Sequence, residues 1–200
     1  MEVWLIRHGE TAANASRRYS GATDDPLTPE GAAALRPLPG GEGVTRVYVT
    51  DLVRTGQTAA ILFPGAAQTV IPAFDEMNFG AFEGRTADEM ADDPAYRAWV
   101  AGECAGETPG GESMASFQAR VCAGFRALMD APREEPLAAV CHGGTIMALM
   151  AAYGRPAKAY YEWYVGNGRG LRLRAEKRDG AWVLTALSAL DGTAGERSRG

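Results

Sequence analysis

Histidine is almost absent from this chain, with only two residues in 200, His8 and His142, so any imidazole chemistry must pass through one or both. Cysteine is nearly as scarce. Cys104, Cys122 and Cys141 show neither CxxC nor Cys/His ligand spacing, which excludes a zinc knuckle or a disulfide framework and suits reduced thiols packed as small core residues. No apolar run approaches the ~18 residues that a membrane span needs. The first strand starts directly after Met1 with no basic leader or small-residue cleavage site, so a cytoplasmic protein without a membrane partner is expected. Basic runs are also missing. The 20 Lys and Arg are dispersed among 25 Asp and Glu for a net charge of −5, which argues against nucleic acid as a partner. Any anion site must then be local, built from a few arginines converging in one pocket. The 25 Gly and 11 Pro are scattered through turns rather than massed into a linker, and no repeat is present beyond a His-Gly echo.

With 46% apolar residues, the chain can bury one sizeable core, and a single domain over 1–190 with a polar tail over 191–200 is expected. Two apolar runs, Val3-Trp4-Leu5-Ile6 and Leu137-Ala138-Ala139-Val140-Cys141, each empty into a histidine followed by glycine. Arg46 to Thr50 is a third strand-like run, continued from Asp51 to Leu62 by a helical pattern, and Gln68 to Phe74 a fourth. Short helices are expected over Thr11 to Arg18, from Thr28 as N-cap with Pro29 behind it, over Thr86 to Met90 and over Pro94 to Ala101. Met114, Phe117, Val121, Phe125 and Leu128 step by three and four along one helix face, with Ser113 as its cap. Leu171 to Arg178 and Trp182 to Ala189 read as a late hairpin around Asp179-Gly180. Strands alternating with helices predict an α/β fold: a three-layer α/β/α arrangement, a mostly parallel central sheet, and a small helical lid over about 77–112.

In such sheets ligands bind at the carboxyl ends of the strands, and His8, Arg54, Glu76 and His142 all lie just beyond such ends. Guanidinium groups and helix-start amides match phosphate oxygens. A neutral imidazole can attack phosphorus when its other nitrogen is held by a hydrogen bond. Glu76, set among Phe74, Met77 and Phe79, has the surroundings that raise a carboxyl pKa and make it a proton donor.

These residues carry a resemblance. Arg7-His8-Gly9-Glu10-Thr11, Asn14, Pro26-Leu27-Thr28-Pro29-Glu30-Gly31, Arg54-Thr55-Gly56-Gln57-Thr58-Ala59, Glu76, Phe79 to Gly84, Gly111-Glu112-Ser113 and His142-Gly143-Gly144 follow one another in an order that resembles the histidine phosphatase superfamily, in its phosphoglycerate mutase-like branch. The resemblance implies that His8 is the nucleophile, that Arg7, Arg54, His142 and Asn14 hold the phosphoryl group, and that Glu76 is the acid and then the base. Gly143, Arg18, Thr23 and Glu112 join Asn14 as substrate-binding candidates. It implies no metal and no cofactor, and a small-molecule phosphate ester as substrate. His142 would serve best protonated, with the two imidazoles titrating differently.

His142 is followed by Gly-Gly rather than the Asp of the acid phosphatase branch, and no Arg-Arg-Ser tract follows Glu83-Gly84 as in mutases. Phe79 to Thr86 with Pro109 to Ser113 resembles α-ribazole phosphatases and broad-specificity phosphatases more closely. Thr50 and Cys141 stand where Ser is common, and Cys141 raises oxidant sensitivity as a question. The expected function is thus a metal-independent phosphomonoesterase acting on α-ribazole 5′-phosphate, a sugar phosphate or another small ester. Phosphoglycerate mutase activity and a non-catalytic phosphate-ester or phosphopeptide binding module are the alternatives. Glu10 suits a structural partner or a helix N-terminal charge as readily as a substrate contact, Arg18 and Arg85 suit solvated charges although Arg18 sits where the family can contact substrate, and Ser113 suits a cap. Tyr160, Tyr161, Trp163 and Tyr164 suit packing of a late helix or a homodimer contact better than a stacking platform, whereas Tyr96 and Trp99 lie in the predicted lid.

Overall fold

The computed structural model describes residues 1–131 and 136–193. Seven strands form one sheet in the order β3-β2-β4-β1-β6-β7-β5. β1 (Glu2–Arg7) occupies the centre, parallel to β4 (Leu137–Cys141) on one side and antiparallel to β6 (Arg169–Arg178) on the other. β2 (Arg46–Val49) and β3 (Ala67–Val70) extend the parallel half. β7 (Ala181–Asp191) closes the hairpin with β6 and pairs in parallel with the two-residue β5 (Gly154–Arg155).

Alternation along the central strands splits the interior into two cores, one on each face of the sheet. Val3 and Leu5 of β1, with Leu137, Ala139 and Cys141 of β4, pack against α5 (Met114–Asp130) and α6 (Gly143–Tyr153). Trp4, Ile6, Ala138 and Val140 point the other way, onto Leu35 and Leu38 beyond α2 (Pro29–Ala34) and onto Ala59 and Leu62 of α3 (Val53–Leu62). A strand buried on both faces reads as a continuous apolar run, which is why β1 and β4 are legible as such. Truncating Leu5, which is fully buried, would cost about 2–5 kcal/mol. This is the expected α/β architecture with a mostly parallel sheet.

Some boundaries differ from the sequence pattern. The third parallel strand stops at Val70, and Pro72–Phe74 forms a single 3-10 turn, since Pro72 has no N–H to offer a ladder. The helix expected over Thr11 to Arg18 is only α1 (Ala12–Ala15), and Arg17 beyond it takes a left-handed φ of 55°. α3 starts at Val53, two residues later than expected. A polar tail is expected over 191–200. Asp191 ends β7 and Thr193 bridges to Leu35, while 194–200 lie outside the described residues.

Between β3 and α5 the chain makes the expected excursion through short 3-10 turns and α4 (Pro94–Ala101), which Asp93 caps. Its Phe82, Met90, Tyr96 and Trp99 are buried and join the core on the α5 and α6 side. Among the described residues no helix is long and apolar enough to cross a membrane.

Candidate active site

Register places the two histidines side by side. Arg7 of β1 is opposite Cys141 of β4, so the next residue of each strand is His8 and His142, and His8 N–H still donates to the Cys141 carbonyl at 3.0 Å. Neighbouring strands are ~4.8 Å apart. The two rings accordingly sit 5.2 Å apart, edge to face. His8 Nδ1 lies 2.7 Å from its neighbour's Gly9 carbonyl oxygen. A carbonyl only accepts, so the proton is on Nδ1 and Nε2 carries a lone pair. Burial, then Arg54 and Arg7, push the His8 pKa down to about 3.

His142 caps α6 and is fully buried, with Nε2 3.0 Å from Thr50 Oγ1. Thr50 in turn touches Thr55 Oγ1 at 3.1 Å, so a threonine pair from the end of β2 and the start of α3 orients the ring. Its Nδ1 is buried and finds no hydrogen-bond partner among the described residues. Burial, His8 and Arg54 hold the His142 pKa well below its ordinary value. This corrects the expectation of a protonated His142. Both rings are neutral at pH 7, because burial and the neighbouring guanidinium charges both disfavour the protonated form.

Two guanidinium groups flank the histidines. Arg7 donates from Nη1 to the Tyr164 hydroxyl and the Val165 carbonyl, both at 3.0 Å, while its Nε is buried with no partner among the described residues. Arg54, in the first turn of α3 and only 1% exposed, clasps the Thr23 and Gly21 carbonyls at 2.6 and 2.8 Å. Glu83 holds the same loop from beneath, accepting the N–H groups of Gly21, Ala22 and Thr23 and the Thr23 hydroxyl. The Thr23 side chain is thereby turned to Glu83, and its contribution to the site is the carbonyl that positions Arg54.

Glu76 faces these groups from just beyond the 3-10 turn that follows β3. Its Oε2 accepts the Gly144 N–H at 2.9 Å and its Oε1 the Met77 N–H at 3.0 Å. Burial raises its pKa above the usual carboxylate range, against the opposing pull of those two N–H groups and of Arg7 and Arg54. The segment is pinned from behind by Arg120 of α5. Arg120 donates to the Ala73, Asp75 and Glu76 carbonyls at 3.1–3.3 Å and to both carboxylate oxygens of Glu112 at 3.0 and 2.8 Å. Glu112 also accepts the Asn78 N–H, so it braces the arch that carries Glu76 instead of lining the pocket.

The pocket beside these groups has a volume of 320 Å³. Arg7, Asn14, Glu76, Gly143 and Gly144 form its polar end, and Tyr19, Phe79, Trp99, Met147, Tyr160, Tyr161 and Tyr164 form much of the rest. Asn14 presents its Oδ1 to Thr11 N–H and Asn167 Nδ2, which leaves its amide N–H groups as the donors at the pocket. Arg18 lines the rim, but Glu89 and the Gly84 carbonyl hold its guanidinium at 2.6–3.0 Å. Three of the late aromatics line the pocket, whereas Trp163 is buried in the core.

Sequence reasoning overlooked Arg120 and Asn167. Asn167 donates to the His8 and Gly9 carbonyls and to Asn14, drawing the first loop towards the start of β6. The Gly166-Asn167-Gly168 run was the available signal, a tight turn directly before a strand.

A family model for the histidine phosphatase superfamily, branch 1, matches residues 3–188. The chain belongs to that superfamily. Its members are enzymes, either phosphatases or mutases. A curated relative from Enterobacter sp. (strain 638), named "Probable phosphoglycerate mutase GpmB", is 34% identical over 167 residues, covering 80% of this chain and 78% of its own. A solved structure from Escherichia coli K-12, described as "a putative alpha-ribazole-5'-P phosphatase", superposes with a TM-score of 0.78 at 28% identity over 94% of this chain and 96% of its own. A phosphoglycerate mutase structure from Thermus thermophilus gives 0.71 at 32% identity, over 95% and 98%.

Proposed function

We propose that this protein is a phosphomonoesterase that hydrolyses a small-molecule phosphate ester through a phosphohistidine on His8. The observation that carries the reading is the fixed tautomer of His8: Nδ1–H is tied to Gly9, the ring is neutral, and Nε2 keeps its lone pair in the field of the Arg54 and Arg7 charges. Arg7 Nε and His142 Nδ1 are the buried polar atoms beside it that find no protein partner among the described residues, and both belong to groups that can hold phosphoryl oxygens.

In the first step Nε2 attacks phosphorus, an N–P bond forms, and the P–O bond to the alcohol breaks. Protonated Glu76 gives its proton to the departing oxygen. Arg7 and Arg54 balance the charge on the equatorial oxygens. In the second step Glu76, now ionised, takes a proton from water as that water attacks phosphorus and His8 leaves as the neutral ring. No step calls on a metal ion. The three free thiols suit a reducing compartment, and we place the reaction in the cytoplasm.

The test is hydrolysis of alkyl and aryl phosphates in the presence of chelator, with labelled substrate used to trap an acid-labile phosphoenzyme. Activity and label should both vanish in His8→Ala. Loss of activity on chelation, or label retained in the variant, would overturn the reading. A second reading, transfer between phosphoglycerate positions, is favoured by the names of the curated relatives. Mutase turnover exceeding hydrolysis of the same phosphoglycerate would establish it.

A further inference from the structure

The pocket next to the phosphate end offers few free polar groups. Tyr19 directs its hydroxyl to the Tyr96 hydroxyl at 3.0 Å, Tyr160 to the Gly144 carbonyl at 3.3 Å, and Trp99 its indole N–H to the Gly106 carbonyl at 3.1 Å. The Tyr164 hydroxyl receives Arg7. Tyr19, Tyr160 and Trp99 therefore spend their polar handles on protein partners and leave ring faces and edges to the pocket. These rings also brace one another, with Tyr19 5.1 Å from Phe79 and 5.9 Å from Trp99, both edge to face. A wall of this kind is held in shape before any ligand arrives.

At the mouth, Tyr161 and Tyr164 are 65% and 64% exposed, although both line the pocket. Exposed large aromatics gathered beside a cavity mark a contact surface more than a packing one. Cationic groups do not reach the apolar side. Arg7 belongs to the phosphate end, and Arg18 is already paired with Glu89 at 2.7 Å. Arg17 does not line this pocket but an adjoining cleft of 330 Å³, which shares Arg7, Asn14, Arg18, Tyr19 and Tyr164 with it.

We infer that the substrate is a monophosphate ester whose alcohol is an uncharged, hydroxyl-poor body carrying a flat ring, seated against Phe79, Trp99 and Tyr161. This rests on the phosphatase reading of the same site and narrows it. A polyol would leave its hydroxyl groups facing ring edges, and a buried unpaired hydroxyl costs more than the ring contact returns. A phosphoglycerate carries a carboxylate, for which the apolar side offers no cation. The sugar phosphates and phosphoglycerates that the motifs alone leave open are thereby disfavoured.

The experiment compares 2-naphthylmethyl phosphate with glycerol 3-phosphate, glucose 6-phosphate and 3-phosphoglycerate. The leaving alcohols are all primary, so the ranking reads the pocket rather than the chemistry of departure. The expected result is a kcat/KM for the naphthylmethyl ester at least about tenfold above the others. Tyr161→Ala, at a surface position that should not disturb folding, should lower that preference mainly by raising KM for the naphthylmethyl ester. Arg17→Ala should leave the naphthylmethyl ester unchanged. Equal or better turnover of the polar esters, or a 3-phosphoglycerate preference abolished by Arg17→Ala, would overturn the inference while leaving the phosphatase intact. Should no ester be hydrolysed, the phosphatase reading fails by itself. Calorimetric binding of the naphthylmethyl phosphonate against glycerol 3-phosphate then decides the pocket's preference, with equal or weaker binding of the phosphonate counting against it.

Discussion

The backbone N–H of Gly144 donates to Glu76 Oε2 at 2.9 Å, and a Cβ built on Gly144 would overlap Glu76 Oε1. Helix α6 thus holds the carboxyl in place only because its second residue has no side chain. Gly144→Ala should keep the fold, since alanine favours a helix, and push the carboxyl out of line. A misplacement of this order lowers kcat by about 100-fold. Rates of the purified variant at saturating ester, beside an unchanged circular dichroism spectrum, check it.

Replacing Glu76 should depend on the ester. Glu76→Gln removes the proton donor and should slow an alkyl phosphate by about 100-fold or more, but a 4-nitrophenyl ester much less, because that alcohol leaves without help. Burial raises the Glu76 pKa, so kcat/KM should fall as pH rises through that raised value and the acid is lost. The high-pH limb should disappear in the Gln variant. An unchanged limb would assign the acid elsewhere.

Buried neutral histidines also make stability depend on pH. Both folded pKa values lie below the ordinary 6.5, that of His8 at about 3. Below about pH 6.5 the unfolded chain binds protons that the folded one refuses, so stability is full above that pH and is lost as pH falls towards the folded values. Each histidine contributes a slope of roughly 1 kcal/mol per pH unit in that window. Urea unfolding at pH 7, 6 and 5 should show it, and His142→Asn should reduce it by about half.

Arg120→Ala should weaken fold and activity together. It removes donors from three carbonyls and leaves Glu112 without its cation, a loss of about 2–3 kcal/mol. Thermal unfolding should show a lower Tm, and kcat should drop because Glu76 sits on the freed segment. Glu112→Gln, which keeps its Asn78 contact, should show a smaller version of both effects.

The central strands and the paired histidines were legible because the signals are local. An apolar run followed by a charged or polar residue and glycine needs no distant information. Arg54 and Glu76 were legible for the same reason, each lying in the segment that follows a strand, Arg54 in the first turn of α3 and Glu76 beyond the 3-10 turn after β3. Arg120 and Asn167 were not, because their role lies in what they reach across the fold: Arg120 looks like an ordinary charged position on an amphipathic helix. Glu112 and Thr23 illustrate the converse. Their neighbourhood in the chain is that of the site, but their side chains are bonded to Arg120 and Glu83. Pro72 cut short the third parallel strand, a local signal that the apolar run around it concealed.

β1 takes up its place between β4 and β6, whose residues come 130 and more positions later in the sequence. Gly168 N–H bonds to the Arg7 and His8 carbonyls, and Asn167 secures the turn that follows. A nascent or truncated chain that stops before residue 167 therefore carries every residue of the opening motif and still lacks the seat that holds it. Seating of the His8 end of β1 is thus tied to formation of the β6–β7 hairpin, a pairing distant in sequence.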